Sequence, residues 1–113
     1  MCNQSILNEI TTRVVQAAKI SLGEKLDKVI LYGSYARGDN EGDSDIDIMV
    51  LADIPLENRW KEYEKINRLI SGLDLEYDVL LSVFVADCAT FYKFLQVEPF
   101  YQNVLREGVV LSA

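Results

Sequence analysis

The spacing of apolar residues divides the chain into alternating helices and strands. Apolar positions recur about every 3.6 residues in the segment 5–22, which predicts an amphipathic helix. Apolar runs at 28–32 and 45–51 predict buried strands, and the second run alternates regularly between polar and apolar residues. The remaining predicted elements are helices at 56–73, 87–95 and 99–107, a third strand at 76–85 and a short strand at 109–111.

Two of these helices carry features that fix their orientation and their start. The helix 56–73 has an apolar stripe, expected to face the core, made of Trp60, Tyr63, Ile66, Ile70 and Leu73. Asp87 is placed to cap the helix that follows it. The order of elements predicts one α/β (α+β) domain spanning 1–113, with a small sheet flanked by helices in a two-layer sandwich.

Composition narrows the class of protein. Half of the residues are hydrophobic and 26% are charged, which indicates a packed core rather than a disordered chain. No apolar run reaches the roughly 20 residues of a membrane helix, and the N-terminus lacks the basic-then-apolar pattern of a secretion signal. We therefore expect a cytoplasmic protein, in which Cys2 and Cys88 remain thiols. The chain has no histidine, which excludes Cys/His zinc sites and a histidine base.

Negative charge is concentrated in one stretch. The net charge of −7 argues against a broad nucleic-acid surface, which needs clustered positive charge. Without five acids the chain would be close to neutral, and these are Asp39, Glu41, Asp43, Asp45 and Asp47. Such local density indicates either a cation site or a solvated loop.

A glycine-rich turn follows the first strand. Gly33 and Ser34 come directly after Tyr32, and a short helical turn is predicted at 35–37. Glycine lets a ligand approach the backbone, and backbone N–H groups at the start of a helix favour phosphate. The turn is therefore a candidate phosphate site.

Two aspartates follow this turn on the second strand. Residues two apart on a strand share a face, so Asp45 and Asp47 are predicted neighbours. Two adjacent carboxylates repel each other unless a cation lies between them. Oxygen ligands select Mg²⁺ or Mn²⁺, and Mg²⁺ commonly binds one or two carboxylates together with substrate phosphates. The turn and the aspartate pair together predict a site for a nucleoside triphosphate.

A third aspartate lies on the predicted strand 76–85. Burying the charged Asp78 in an apolar strand costs free energy, so the residue is expected to be functional or at an exposed edge. If this strand pairs with the one carrying Asp45 and Asp47, three carboxylates converge, as a two-metal site requires.

The pattern Gly33-Ser34, ten residues, Asp45-x-Asp47 resembles the minimal nucleotidyltransferases of the polymerase-beta-like superfamily. The resemblance covers about 29–85 and implies a mixed sheet flanked by helices. It further implies that Gly33 and Ser34 contact the phosphates and that Asp45 and Asp47 bind metal. Asp78 would be the third carboxylate, by a looser match.

The resemblance also implies an activity and a partner. The activity is Mg²⁺-dependent transfer of a nucleoside monophosphate, with ATP the expected donor, to a hydroxyl. Small members resemble the antitoxin half of toxin–antitoxin pairs whose partner is a helical HEPN-type toxin, which makes a tyrosine of that toxin a candidate acceptor. Two alternatives stay open: a module that neutralises a partner by contact alone, and an enzyme for small molecules such as antibiotics, completed by a second subunit or a homodimer.

Several residues keep a second interpretation. Asp43, Asp45 and Asp47 could form the wet face of an edge strand, but an EF-hand is excluded because its required glycine and glutamate positions are both isoleucine. Arg37 could bind phosphate or pair with Asp39 or Glu41. Tyr35 is expected to pack rather than to act chemically.

Overall fold

A computed structural model describes residues 3–42 and 44–112 of the chain. Its α-helices, α1 to α6, are Gln4–Leu22, Ser34–Arg37, Arg59–Leu69, Leu73–Tyr77, Cys88–Phe94 and Pro99–Glu107. Its strands, β1 to β4, are Leu26–Tyr32, Ile46–Ala52, Leu81–Asp87 and Val109–Ser112. Short 3₁₀ turns at Gly23–Lys25 and Leu56–Asn58 precede β1 and α3.

The four strands form one mixed sheet in the order β3-β2-β1-β4. β1 pairs antiparallel with β2 and β4, whereas β2 pairs parallel with β3. This confirms the predicted small mixed sheet, and β4 confirms the short fourth strand. β2 lies between β1 and β3. Both the residue that follows β1 and the neighbouring strand β3 therefore lie beside the acidic N-terminal end of β2.

Helices pack on both faces of the sheet. On one face α1 and α3 cover a core that includes Ile48 and Val50 of β2. On the other face Met49 packs with Phe91 of α5 and Val104 of α6. The alternation predicted for β2 is therefore confirmed, but the expected two layers become three because α5 and α6 cover part of the second face.

The long helix predicted at 56–73 is broken in the structure. α3 ends at Leu69, and Gly72, with φ of 92°, adopts a left-handed conformation that stops the helix. Ile66 and Ile70 are buried as predicted, but Trp60 is 68% exposed and does not face the core. An exposed tryptophan at the start of α3 is thus available for other contacts.

The strand predicted at 76–85 is wrong in its first half. Residues Leu73–Tyr77 form α4, and β3 begins only at Leu81. The turn at Gly72 restarts a helix there, which the alternation of apolar residues did not reveal.

Two sequence expectations concern cysteines and membrane association. Cys88 is a free thiol, whereas Cys2 and Asp43 lie outside the described residues. Within 3–42 and 44–112, no helix is long and apolar enough to cross a membrane.

Asp87 caps α5, as predicted, and its charge stabilises the fold. Its buried carboxylate accepts a hydrogen bond from the Thr90 backbone N–H at 2.9 Å and lies 3.9 Å from the Arg59 guanidinium. Burial acts to raise the pKa of Asp87, but the Thr90 hydrogen bonds and Arg59 outweigh it and the pKa is lowered. The ionised form is therefore favoured in the folded chain.

We expect Asp87→Ala to lower the free energy of unfolding at pH 7 by about 0.5–2 kcal/mol, the usual effect of losing a helix cap. The stabilisation from the lowered pKa is complete above the unfolded-state value of about 3.9 and is lost as pH falls through the folded-state pKa. Urea unfolding from pH 7 to pH 2.5 should show the gap between wild type and variant narrowing at the acid end. If the difference in free energy of unfolding between wild type and variant stays constant with pH, the effect comes from packing alone.

Candidate active site

The predicted turn and aspartate pair meet at one end of the sheet. Tyr32, the last residue of β1, pairs with Asp47, the second residue of β2. Gly33 follows Tyr32, and Asp45 immediately precedes β2. The antiparallel register therefore brings together groups that lie more than ten residues apart in the sequence.

Gly33 lies directly against the Asp47 carboxylate. Its φ of 77° and ψ of −156° are rarely accessible to other residues. A Cβ built on Gly33 would lie 2.5 Å from Oδ2 of Asp47, far inside normal contact distance. Only glycine lets the backbone of the turn approach the carboxylate this closely.

Hydrogen bonds hold the turn in one shape. The Gly33 carbonyl accepts from the N–H groups of Ala36 and Arg37, both at 3.1 Å. The Ser34 carbonyl accepts from Gly38 and Asp39 at 2.9 and 3.2 Å. In the described part of the chain the Ser34 hydroxyl has no hydrogen-bond partner. The turn is thus a fixed support that begins directly against Asp47 and carries an unused hydroxyl.

Asp45 and Asp47 lie side by side at the start of β2 without a neutralising base among residues 3–42 and 44–112. Neither carboxylate forms a hydrogen bond or ion pair with the described residues. Partial burial of Asp47 and repulsion from Asp45 raise the pKa of Asp47, while the positive charge of Arg37 partly opposes this. A cation bound to both carboxylates would remove the repulsion.

These residues fit one divalent metal ion. Two adjacent carboxylates, one pressed against a glycine turn, suit Mg²⁺ or Mn²⁺, which would complete its coordination with phosphate and water oxygens. Among the described residues, no group of three or more His, Cys, Asp or Glu side chains is placed to hold a metal. The geometry therefore supports the aspartate pair but does not assemble the three carboxylates expected of a two-metal site.

Asp78 does not lie on the strand next to the pair. It is the C-cap of α4, in a left-handed conformation with φ of 52°, and is exposed. The residue of β3 opposite Asp47 is Ser82. The predicted position of Asp78 on the strand paired with Asp45 and Asp47 is therefore wrong, because β3 starts three residues later, and the strand pairing gives no support to a metal-binding role for Asp78.

Arg37 is held by two acids in this structure. Its Nε lies 3.2 Å from Asp39 and its Nη1 lies 3.3 Å from Glu107 at the end of α6. Hydrogen bonds to Asp39 and then to Glu107 raise the pKa of Arg37. Pairing with Asp39, one of the two predicted alternatives, is thus observed, and the link to Glu107 was not foreseen. No sequence signal connects two residues 70 positions apart.

Aromatic and apolar side chains border the aspartates on the side of β3. Phe100 of α6 makes edge-on contacts with Tyr32 and Phe84, with ring centroids 5.6 and 6.2 Å away. Leu80 is 60% exposed and Phe84 is 37% exposed. Burial and the Asp47 carboxylate raise the pKa of Tyr32 to about 12, so its hydroxyl stays protonated. Tyr35 packs against the larger core, as expected.

Two curated proteins of Methanocaldococcus jannaschii, both provisionally named protein adenylyltransferases, are similar to this chain. One is 36% identical over 97 residues, which cover 86% of this chain and 89% of the relative. The other is 45% identical over 65 residues, and the match covers 57% of this chain and 63% of that relative. The match thus spans somewhat less than two thirds of the second protein's length.

Solved structures share the fold. A structure described as a minimal nucleotidyltransferase superposes with a TM-score of 0.62 at 20% identity, covering 96% of this chain and 95% of that one. A crystal structure of a toxin–antitoxin with AMP-PNP gives a TM-score of 0.56 at 23% identity, covering 91% of this chain and 73% of that one. These likenesses confirm the predicted fold class.

A family model described as a nucleotidyltransferase domain matches residues 13–111. The matched range includes β1, the glycine turn and the aspartate pair. These are the residues that the structure brings together at one end of the sheet. The chain therefore belongs to the nucleotidyltransferase domain family.

Proposed function

We propose that this chain is a Mg²⁺-dependent adenylyltransferase that moves AMP from ATP to a hydroxyl group of a partner protein. The observation that carries the proposal is the contact between Gly33 and the unpaired Asp47 carboxylate, with Asp45 beside it. A fixed turn for phosphate then borders two ligands for a divalent cation. This arrangement supports a nucleoside triphosphate as the substrate, because such a substrate needs both a phosphate site and a cation.

Each residue has a defined task in this proposal. Gly33 and Ser34 position the triphosphate through the backbone and the hydroxyl of the turn, while Asp45 and Asp47 hold the metal. When bound, the metal supplies positive charge that offsets the negative charge of the phosphates. The acceptor oxygen bonds to the α-phosphorus, the bond from that phosphorus to the bridging oxygen breaks, pyrophosphate leaves, and the hydroxyl proton passes to solvent.

Arg37 must change partners if it is to bind phosphate. Its guanidinium is exposed and bound by two exposed or half-exposed acids, and exposed ion pairs of this kind add little to stability. A triphosphate can compete with them. Arg37 therefore stays a proposed nucleotide-binding residue, released from Asp39 and Glu107 when ATP binds.

The acceptor is proposed to be a protein because the two relatives are named as protein adenylyltransferases. The toxin–antitoxin structure with the same fold supports an antitoxin role, and the family resemblance suggests a helical HEPN-type toxin as partner. The open side of the site offers an exposed apolar side chain, Leu80, rather than basic ones. Such a surface suits a protein segment better than nucleic acid. The use of ATP and Mg²⁺ is consistent with a cytoplasmic protein.

A label-transfer assay tests the proposed reaction. The chain, Mg²⁺ and a candidate helical partner are incubated with ATP labelled on its α-phosphate or, in parallel, on its γ-phosphate. We expect the α-label alone to become attached to the partner and the attachment to be lost when EDTA removes the metal. Transfer of the γ-label would instead indicate a kinase.

The same assay separates the alternatives. Neutralisation of the partner without any label attached would favour a module that acts by contact. Label found on an added aminoglycoside, and not on protein, would favour a small-molecule enzyme. Either result would contradict the proposed acceptor.

A further inference from the structure

A groove on the outer side of β3 is not used by the proposed reaction. Its volume is about 490 Å³, and α3, the turn before it and β3 line it. Its exposed apolar residues include Leu56, Trp60 and Phe84. Trp60 is stacked on Tyr63 with ring centroids 5.2 Å apart, so its exposed ring is held in place. We call this surface the β3 groove.

The groove runs along an open edge of the sheet. β3 is the terminal strand, and within the described residues it pairs only with β2. The Leu80 carbonyl accepts a hydrogen bond from the Ile46 N–H at 2.7 Å, which directs even-numbered residues of β3 toward β2. Backbone groups alternate along a strand, so those of Leu81, Val83 and Val85 point outward.

This edge lacks the features that usually prevent association. Edge strands are commonly protected by charged residues, proline or bulges. The stretch 80–86 contains one polar residue, Ser82, and no charge or proline, and β3 pairs with β2 without a bulge. An unprotected apolar edge favours pairing with another strand.

We infer that a second copy of this chain covers the β3 groove, with the two β3 strands paired antiparallel about a twofold axis at Val83. In this register Val83 exchanges both backbone hydrogen bonds with its counterpart, and Leu81 lies opposite Val85. Only an extended segment can use these outward groups, because a helix has already satisfied its own backbone. The surface is therefore distinct from one that would hold the proposed helical partner.

Charge also favours a second copy. The chain carries a net charge of −7, which opposes self-association in general. The β3 groove, however, is lined by one acid, Glu57, and one base, Arg59. A twofold interface places the same patch on both sides, so that an acid of one copy can face the base of the other. The groove thus presents both signs of charge to a second copy, although Arg59 also lies 3.9 Å from the buried Asp87 of its own chain.

Sedimentation of the full chain tests the interface. Wild type should sediment with twice the 12.8 kDa mass of one chain, and Trp60→Lys and Val83→Pro should each sediment as monomers. Trp60→Lys places charge in the groove, whereas Val83→Pro removes an outward N–H at a position where an edge strand tolerates proline. Leu75→Lys is the matched control, since Leu75 is 86% exposed on α4 and outside the groove.

Hydrogen exchange supplies a residue-level readout. The amides of Leu81 and Val83 should become protected as wild-type concentration rises and stay unprotected in Trp60→Lys, whose folding is checked by thermal unfolding. A wild type that stays monomeric up to a millimolar, or whose dimer survives both groove variants, overturns the inference. Protection of these amides only upon addition of another protein would also overturn it, by assigning the edge to a different occupant.

Discussion

We expect Asp47→Asn to abolish nucleotidyl transfer while leaving the chain folded and at least as stable as wild type in metal-free buffer. The substitution removes a ligand of the proposed metal but keeps the shape of the side chain beside Gly33. Changes in the shell around metal ligands already reduce affinity or activity about 10–100-fold. Loss of a ligand itself should reduce transfer by at least about 100-fold. Stability should not fall, because Asp47 loses its repulsion with Asp45.

Two measurements separate these effects. Label transfer from ATP reports activity, and thermal unfolding in EDTA, with and without added Mg²⁺ and a non-hydrolysable ATP analogue, reports stability and binding. Ligand at 100 times its Kd stabilises the folded state by about 2.7 kcal/mol. Wild type should gain several degrees only when both ligands are present, and Asp47→Asn should gain none.

Two matched substitutions control for the loss of a carboxylate. Asp53→Asn makes the same change just beyond the other end of β2, at an exposed position, and should retain full transfer. Asp78→Asn tests the residue that the sequence assigned to the site, and asparagine tolerates its left-handed conformation. We expect it to retain transfer too, since Asp78 ends α4 and does not lie on β3. Full activity of Asp47→Asn, or inactivity of Asp78→Asn, would contradict this site.

The sequence predicted the centre of the site because two strong local patterns meet there. β1 and β2 are apolar runs, and alternation in β2 separates Asp47 from the buried Ile46 and Ile48. A glycine directly after β1 marks where the chain turns. Once β1 and β2 pair as antiparallel neighbours, the register brings Gly33 beside Asp47. Local periodicity and the pairing of β1 with β2 were sufficient to predict that these residues are neighbours.

The remainder of the site depends on contacts that sequence patterns do not encode. The order of apolar and polar residues in 73–85 suits either a helix or a strand. The left-handed conformation of Gly72 allows a new helix, α4, to begin there. Asp78 consequently lies at the end of α4 and not on the sheet, where the sequence had predicted it. Arg37 meets Glu107 only because α6 packs near the end of β1, and Trp60 is exposed although it lies on the stripe predicted to face the core. These outcomes follow from packing between distant elements.

Gly33→Ala should cause a large loss of activity for a different reason. The added Cβ would lie 2.5 Å from Oδ2 of Asp47, so either the turn or the carboxylate must move. Misplacement of a reacting group by about 1 Å can reduce the rate about 100-fold. The backbone conformation of Gly33 is also one that other residues adopt only at a cost of about 1–3 kcal/mol. We therefore expect transfer to fall about 100-fold and the midpoint of thermal unfolding to fall by several degrees.

Gly38→Ala distinguishes displacement of Asp47 from general strain in the turn. Gly38 ends the same turn with φ of 81°, and a Cβ there meets nothing within 4 Å. An alanine in this left-handed conformation should reduce stability by about 1–2 kcal/mol and leave transfer nearly intact once the assay is run well below the unfolding midpoint. If the two variants lose activity equally, flexibility of the turn controls the reaction. If only Gly33→Ala loses it, the close contact between the turn and Asp47 is what the reaction requires.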